Sequence, residues 1–132
     1  MNAHFFKLPA VHPFIVTLPQ NTTIYEGGAT VLPCGTHERR VQYGENFLWL
    51  RNSATIEHIV IDRSKGVGQT MLRRAPQSAG QRSELRVLDS GSLQIINAQL
   101  VDSGEYTCVL WIDGSSDSAS AFLTVKALGW CS

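Results

Sequence analysis

Apolar and polar residues alternate with a period of two along most of this chain, and Gly, Pro, Asn and Asp cut the alternation into short runs. Strands are predicted over 14–18, 29–34, 47–52, 56–62, 67–72, 85–88, 93–97, 105–112 and 119–125, and no stretch carries a helical period. Pro13 and Pro19 bracket the first run, which suits an edge strand because proline cannot donate to a ladder. Thr23 and Tyr25 lead into the turn sequence Glu26-Gly27-Gly28. The pattern predicts an all-β chain without internal repeats. One domain over 14–126 is expected, with tails at 1–13 and 127–132 and a polar loop at 76–81.

Several residues on these runs form an ordered set: Cys34, then Trp49, then Asp102-x-Gly104-x-Tyr106-x-Cys108. The set resembles the immunoglobulin superfamily, and the resemblance covers 14–126. It implies two antiparallel sheets in an immunoglobulin-like sandwich of variable (V) type. One inter-sheet disulfide is implied between Cys34 and Cys108, with Trp49 packed over it. Tyr106 should bury its ring and bond backbone at the corner before its strand, where Gly104 permits a tight turn and Asp102 and Ser103 cap it. In the family's lettering the nine runs are A, B, C, C′, C″, D, E, F and G. The long interval between the cysteines favours the V set, whose extra strands C′ and C″ lie in the middle.

Departures from the family pattern narrow the type. Asp117-Ser118-Ala119-Ser120 stands where rearranging antigen receptors carry Phe-Gly-x-Gly. Glu84 replaces the arginine that usually pairs with the aspartate before F, so Arg82 or Arg86 would have to reach Asp102. These changes resemble a non-rearranging V-set domain with I-set-like features, as in adhesion or innate immune-type receptors.

Formal net charge is zero, with 11 basic and 11 acidic residues, which argues against nucleic acid or an anionic membrane as principal partner. Arg39-Arg40 and Arg73-Arg74 are isolated pairs, and no apolar stretch reaches the length of a membrane helix. The first eight residues do not read as a signal peptide. The implied disulfide nonetheless calls for an oxidising compartment, hence an extracellular location, either secreted or as the ectodomain of a membrane protein. Of three cysteines Cys131 is left over; its partner lies outside this chain's sequence or in a second copy. Asn21-Thr22-Thr23 is an N-glycosylation sequon.

Catalytic chemistry finds no support. His4, His12, His37 and His58 are scattered without metal-ligand spacing, so neither metal nor cofactor is expected. Asp113-Gly114-Ser115-Ser116-Asp117 lacks the length and closing glutamate of a calcium loop and reads as a turn. Thr107 and Val109 offer no arginine of the kind that sialic-acid-binding V domains project from strand F.

Strand alternation, anchored by inward Trp49 and Cys108, turns Leu48, Leu50, Thr107, Val109 and Trp111 outward on the sheet holding C, F and G. Phe122 faces the same way. Leu48, Leu50, Val109, Trp111 and Phe122 are therefore the predicted interface of a homodimer, with Trp111 as anchor. The loops 35–46, 63–66 and 113–118 should gather at one end. His37, Arg40, Tyr43, Asp113 and Ser115 are their candidate contacts for a cell-surface or microbial ligand. The expected function is a non-enzymatic recognition module pairing through its front sheet. The alternatives are a structural spacer in a tandem array and a secreted, lectin-like pathogen-binding V domain.

Overall fold

The computed structural model describes residues 11–59, 70–73 and 83–129. Twelve strands occur among them: β1 Ile15–Thr17, β2 Thr22–Tyr25, β3 Thr30–Leu32, β4 Gly35–Thr36, β5 Phe47–Arg51 and β6 Ala54–Thr55, then β7 Glu57–Ile59, β8 Thr70–Arg73, β9 Glu84–Val87, β10 Leu93–Ile96, β11 Gly104–Ile112 and β12 Ser115–Lys126. They form an immunoglobulin-like sandwich. The front sheet has the order β2-β12-β11-β5-β6 and the back sheet β3-β10-β9-β8-β7, while β1 pairs with β4 alone. The expected A, B, D, E, F and G runs are all present, with ends shifted by a few residues.

The front sheet owes its regularity to the β11–β12 hairpin. Asp113 and Gly114 turn with φ of 48° and 84°, the left-handed pair whose twist matches that of antiparallel strands. Strict alternation along β11 and β12 then sends Tyr106, Cys108, Leu110, Ile112, Ala121, Leu123 and Val125 into the core. Facing them are Leu32, Leu85, Leu93 and Ile95 of the back sheet.

Cys34 and Cys108 are disulfide-bonded across the sheets, with Cα atoms 6.6 Å apart. Trp49 lies opposite Cys108 in the ladder, wholly buried, and its indole Nε1 donates to the Gly91 carbonyl at 2.9 Å. Gly91 has φ of 92°, and a Cβ there would sit 2.7 Å from the Cys34 carbonyl oxygen. The turn between β9 and β10 therefore has to be glycine for the disulfide and the tryptophan to meet beneath it.

A single turn of 3-10 helix, Leu100–Asp102, leads into β11. The Tyr106 hydroxyl donates to the Asp102 carbonyl at 2.7 Å, as the resemblance implied. The Asp102 carboxylate is buried and accepts from the Gln99 amide at 2.6 Å and the Ser83 hydroxyl at 3.1 Å. Gly104 is needed here because a Cβ would fall 2.8 Å from Asn52 Oδ1, which itself accepts from the Glu105 amide. Of the two arginines expected near Asp102, Arg86 pairs with Glu84 at 2.9 Å, and Arg82 lies outside the described residues.

The middle of the chain departs from expectation. Of the run 56–62, the described part does not continue the front sheet, because Glu57–Ile59 joins the back one. Asn52 and Ser53 take φ of 50° and 70° and turn the chain so tightly that β6 begins at Ala54. Ile56 donates its amide to the Trp49 carbonyl at 3.1 Å and buries its side chain. Beyond it the chain crosses to the other layer, where β7 pairs with β8 and β8 with β9. The extra hairpin extends the back sheet, and among the described residues two-residue β6 is the front edge. Residues 60–62, 63–66, 67–69, 76–81 and 130–132, with Cys131, lie outside the described residues, as does most of the expected tail 1–13.

Candidate functional site

The outer face of the front sheet follows from the ladder register. Leu48 lies opposite Val109 and Val109 opposite Ser118; Leu50 lies opposite Thr107 and Thr107 opposite Ser120; Trp111 lies opposite Ser116. Phe47, Trp49, Leu110 and Cys108 are buried between them, so Leu48, Leu50, Val109 and Trp111 share the outer face, each half-buried. They make one apolar row over β5 and β11. On its β12 side lie only Ser116, Ser118 and Ser120, the last hydrogen-bonded to Thr107 at 2.7 Å. Small side chains there leave the row flanked by a shallow step and not by a wall.

Phe122 does not join that row. It is exposed on the same face, but its partner is Glu105, six positions from Trp111 along β11, or about 20 Å at the rise of a strand. Thr107, Ser120 and Glu105 separate it from Leu50. Sequence alternation gave the right face but not the lateral distance, which depends on register. Phe122 sits instead beside Asn21, whose side-chain Oδ1 accepts the Phe122 amide at 2.8 Å.

At the loop end, Arg40 links the two predicted recognition loops. Its guanidinium reaches Asp113 at 3.1 Å and Glu38 at 3.2 Å, and these two carboxylates raise its pKa. Asn46 fixes the base of the same loop: Oδ1 accepts from the Gln42 amide at 2.8 Å, Nδ2 donates to the Arg40 carbonyl at 2.8 Å, and the Asn46 carbonyl accepts from the Trp111 amide at 3.0 Å. His37, Arg40, Asp113 and Ser115 are exposed at this end. Arg40 and Asp113 are brought together.

Tyr43 requires correction as a candidate contact, because its side chain is turned into the fold. Its hydroxyl donates to the Ile56 carbonyl at 2.8 Å and accepts from the Trp49 amide at 3.2 Å. The ring packs edge-on against Phe47 and His58. Burial pushes the phenol up to about 12. A tyrosine in a polar loop reads as a contact residue, but here it packs against the core and ties the backbone of Trp49 to that of Ile56.

Sequence reasoning missed Asp117. Its side chain is 4% exposed and accepts from the amides of Ile15 at 2.8 Å and Phe14 at 3.0 Å, and it bonds His12 Nδ1 at 2.8 Å. Burial alone would push this carboxyl up, but the Ile15 amide, His12 and the Phe14 amide outweigh it and hold the group below its ordinary 3.8. The link crosses the expected boundary at residue 13 and ties the incoming chain to the start of β12. Among the described residues, no group of three His, Cys, Asp or Glu side chains could hold a metal ion. Nor is any helix there long and apolar enough to cross a membrane.

Comparison with known proteins adds three findings. A family model described as the immunoglobulin domain matches residues 20–121. Hemicentin-1 of Mus musculus is 32% identical over 114 residues; this is 86% of the chain but 2% of that protein, so the chain spans a small fraction of its relative's length. Two solved structures superpose with the same fold. One is the Ig-like domain of human Leucine-rich repeat-containing protein 4, with a TM-score of 0.58, 24% identity, and coverage of 96% of this chain and 100% of that one. The other is the N-terminal Ig1-2 module of Drosophila receptor protein tyrosine phosphatase DLAR, with a TM-score of 0.55, 24% identity, and coverage of 91% and 48%.

Proposed function

The chain belongs to the immunoglobulin family, and from that premise we propose that it is a non-enzymatic extracellular recognition module, of V-set type with I-set-like features, in an adhesion or immune-type receptor. It pairs with a second copy through its front sheet and meets a cell-surface or microbial ligand with the loop end. The observation that carries this reading is the apolar row Leu48, Leu50, Val109 and Trp111, bordered by serines, on the outer face of a regular sheet. A two-fold contact uses the row twice, so each apolar side chain is withdrawn from water on both copies. Trp111, nearest the loops, is the anchor. The disulfide supports the extracellular location.

Arg40, held between Glu38 and Asp113, supports a loop end ordered before a ligand arrives, with His37 and Ser115 beside it. A spacer in a tandem array is the second reading. It is favoured by the match to Hemicentin-1, of which the chain covers only 2%.

Sedimentation equilibrium of the parent chain and of Trp111→Arg separates the two. The recognition reading expects a parent dimer at micromolar concentration and a monomeric variant with an unchanged circular-dichroism spectrum, because dimerisation would bury an unpaired charge. A parent that stays monomeric at high micromolar concentration overturns the pairing and leaves the spacer. A dimer that survives Trp111→Arg puts the mate on another surface.

A further inference from the structure

We infer that Asn21 carries an N-linked glycan whose first sugars lie over Phe122, closing that corner of the front face and leaving the Leu48–Trp111 row as its open part. The inference rests on the secretory route argued above and deepens the front-sheet reading, but it does not depend on dimerisation.

Three observations combine. The sequon Asn21-Thr22-Thr23 runs into β2, which pairs in parallel with β12 in the register Thr22–Leu123 and Thr23–Thr124. Leu123 is buried and Thr124 exposed, so Asn21 and Thr23 both project from the outer face while Thr22 points towards the core. The attachment residue and the hydroxyl residue of the sequon are thus both presented to solvent. Second, the Asn21 side chain is already oriented. Its Oδ1 accepts the Phe122 amide at 2.8 Å, and among the described residues Nδ2 has no hydrogen-bond partner. Nδ2 is the atom that bonds to the sugar. An amide fixed through its oxygen presents this nitrogen outward, and that hydrogen bond survives glycosylation.

Third, Phe122 is 54% exposed, one strand spacing of about 4.8 Å from Asn21 on the same face. Among the described residues it stands apart from the Leu48–Trp111 row of that face, with Glu105 beside it. The apolar C–H face of a pyranose stacks on an aromatic ring, as in protein–sugar contacts generally, and a sugar tethered at the neighbouring residue meets the ring at high effective concentration. Phe122 therefore serves the glycan, and the partner docks on the β5–β11 half of the sheet. Asn21 glycosylation at this edge is compatible with pairing, since the row and the sequon lie on opposite sides of the serine step.

Secretion of the full chain from animal cells, as wild type, Thr23→Ala and Thr23→Ser, tests both parts. Thr23→Ala removes the sequon but keeps the Asn21–Phe122 hydrogen bond, which an asparagine substitution would not, and Thr23→Ser keeps the sequon. Peptide mapping after peptide N-glycosidase should find aspartate at position 21 in wild type and Thr23→Ser, and asparagine in Thr23→Ala. Asparagine at position 21 in the secreted, disulfide-bonded wild type overturns the site while leaving the extracellular reading intact. Hydroxyl-radical footprinting should then show Phe122 protected in wild type and its protection lost in Thr23→Ala, with Trp111 unchanged between them. Equal oxidation of Phe122 in the two proteins overturns the covering.

Discussion

Two buried carboxylates hold opposite ends of β12's neighbourhood, and they became visible in different ways. Asp102 lies at the corner below β11 and accepts from Gln99, three residues before it, and from Ser83. Asp117 lies at the start of β12 and accepts from Phe14, Ile15 and His12, more than a hundred residues earlier. Both satisfy backbone amides that would otherwise be buried without a partner. The first sits inside a short ordered motif with Gly104, Tyr106 and Cys108. The second sits in Asp-Gly-Ser-Ser-Asp, a string that reads as a hairpin and nothing more. A local hydrogen bond leaves a spacing in the sequence; a long-range one leaves none.

Asp102 carries the larger load. Asp102→Ala strands the Gln99 amide and the Ser83 hydroxyl and loosens the turn whose carbonyl receives Tyr106, so a loss of about 3–4 kcal/mol is expected in urea unfolding. Asp117→Ala should cost less, about 2–3 kcal/mol, because it frees an edge strand and not the core. Hydrogen exchange distinguishes them. The Phe14 and Ile15 amides should speed up alone in Asp117→Ala, whereas Asp102→Ala should speed exchange throughout β11. The double variant should lose the sum to within about 0.5 kcal/mol, since among the described residues Gln99 and Ser83 on one side and His12, Phe14 and Ile15 on the other are different partners.

Acid sharpens the same contrast. The folded pKa of Asp117 is depressed, so its contribution is complete above the ordinary value of 3.8 and is lost as pH falls through the lower folded value. Wild type should therefore lose more stability than Asp117→Asn on acidification below that point, and a parallel decline would remove the carboxylate from the clamp. Base tests a half-buried hydroxyl, that of Tyr43. The Tyr43 phenol is raised to about 12, so its contribution is complete below pH 10 and is lost as pH rises through about 12. Tyr43→Phe should abolish that alkaline component and cost about 1 kcal/mol at neutral pH. Its phenolate absorbance should appear near pH 12. The smallest effect is expected of His12→Ala, about 1 kcal/mol or less at neutral pH, because the two backbone amides still hold Asp117.

What was legible was what alternation and short motifs encode. Trp49, Tyr106, Cys34 and Cys108 lie where the resemblance put them, and the outward side of Leu48, Leu50, Val109 and Trp111 followed from period two alone. Alternation is silent about which sheet a strand joins. The pattern around Ile56, Glu57 and His58 is the same whether the strand continues the front layer or crosses to the back. The front-edge hairpin turns on two left-handed residues, Asn52 and Ser53, neither of them glycine, and the chain changes layer only after it, between β6 and β7. Lateral position is hidden for the same reason: alternation places Phe122 on the right face but does not show that Glu105 is its neighbour. The inward turn of Tyr43 leaves no sequence signal, because its partners are carbonyl and amide groups, which no sequence pattern marks.

One topological detail governs how the domain bears tension. The strand β2 runs parallel to β12, from Thr22 beside Leu123 to Tyr25 beside Lys126. A pull applied before β2 and after β12 drags the two strands lengthwise in opposite directions. Their ladder bonds are then loaded together in shear instead of being unzipped singly. Upstream, the clamp of Asp117 on Phe14 and Ile15 and the brief pairing of β1 with β4 stand in series with this lock. A pull from upstream therefore reaches the incoming segment first and the parallel β2–β12 ladder after it.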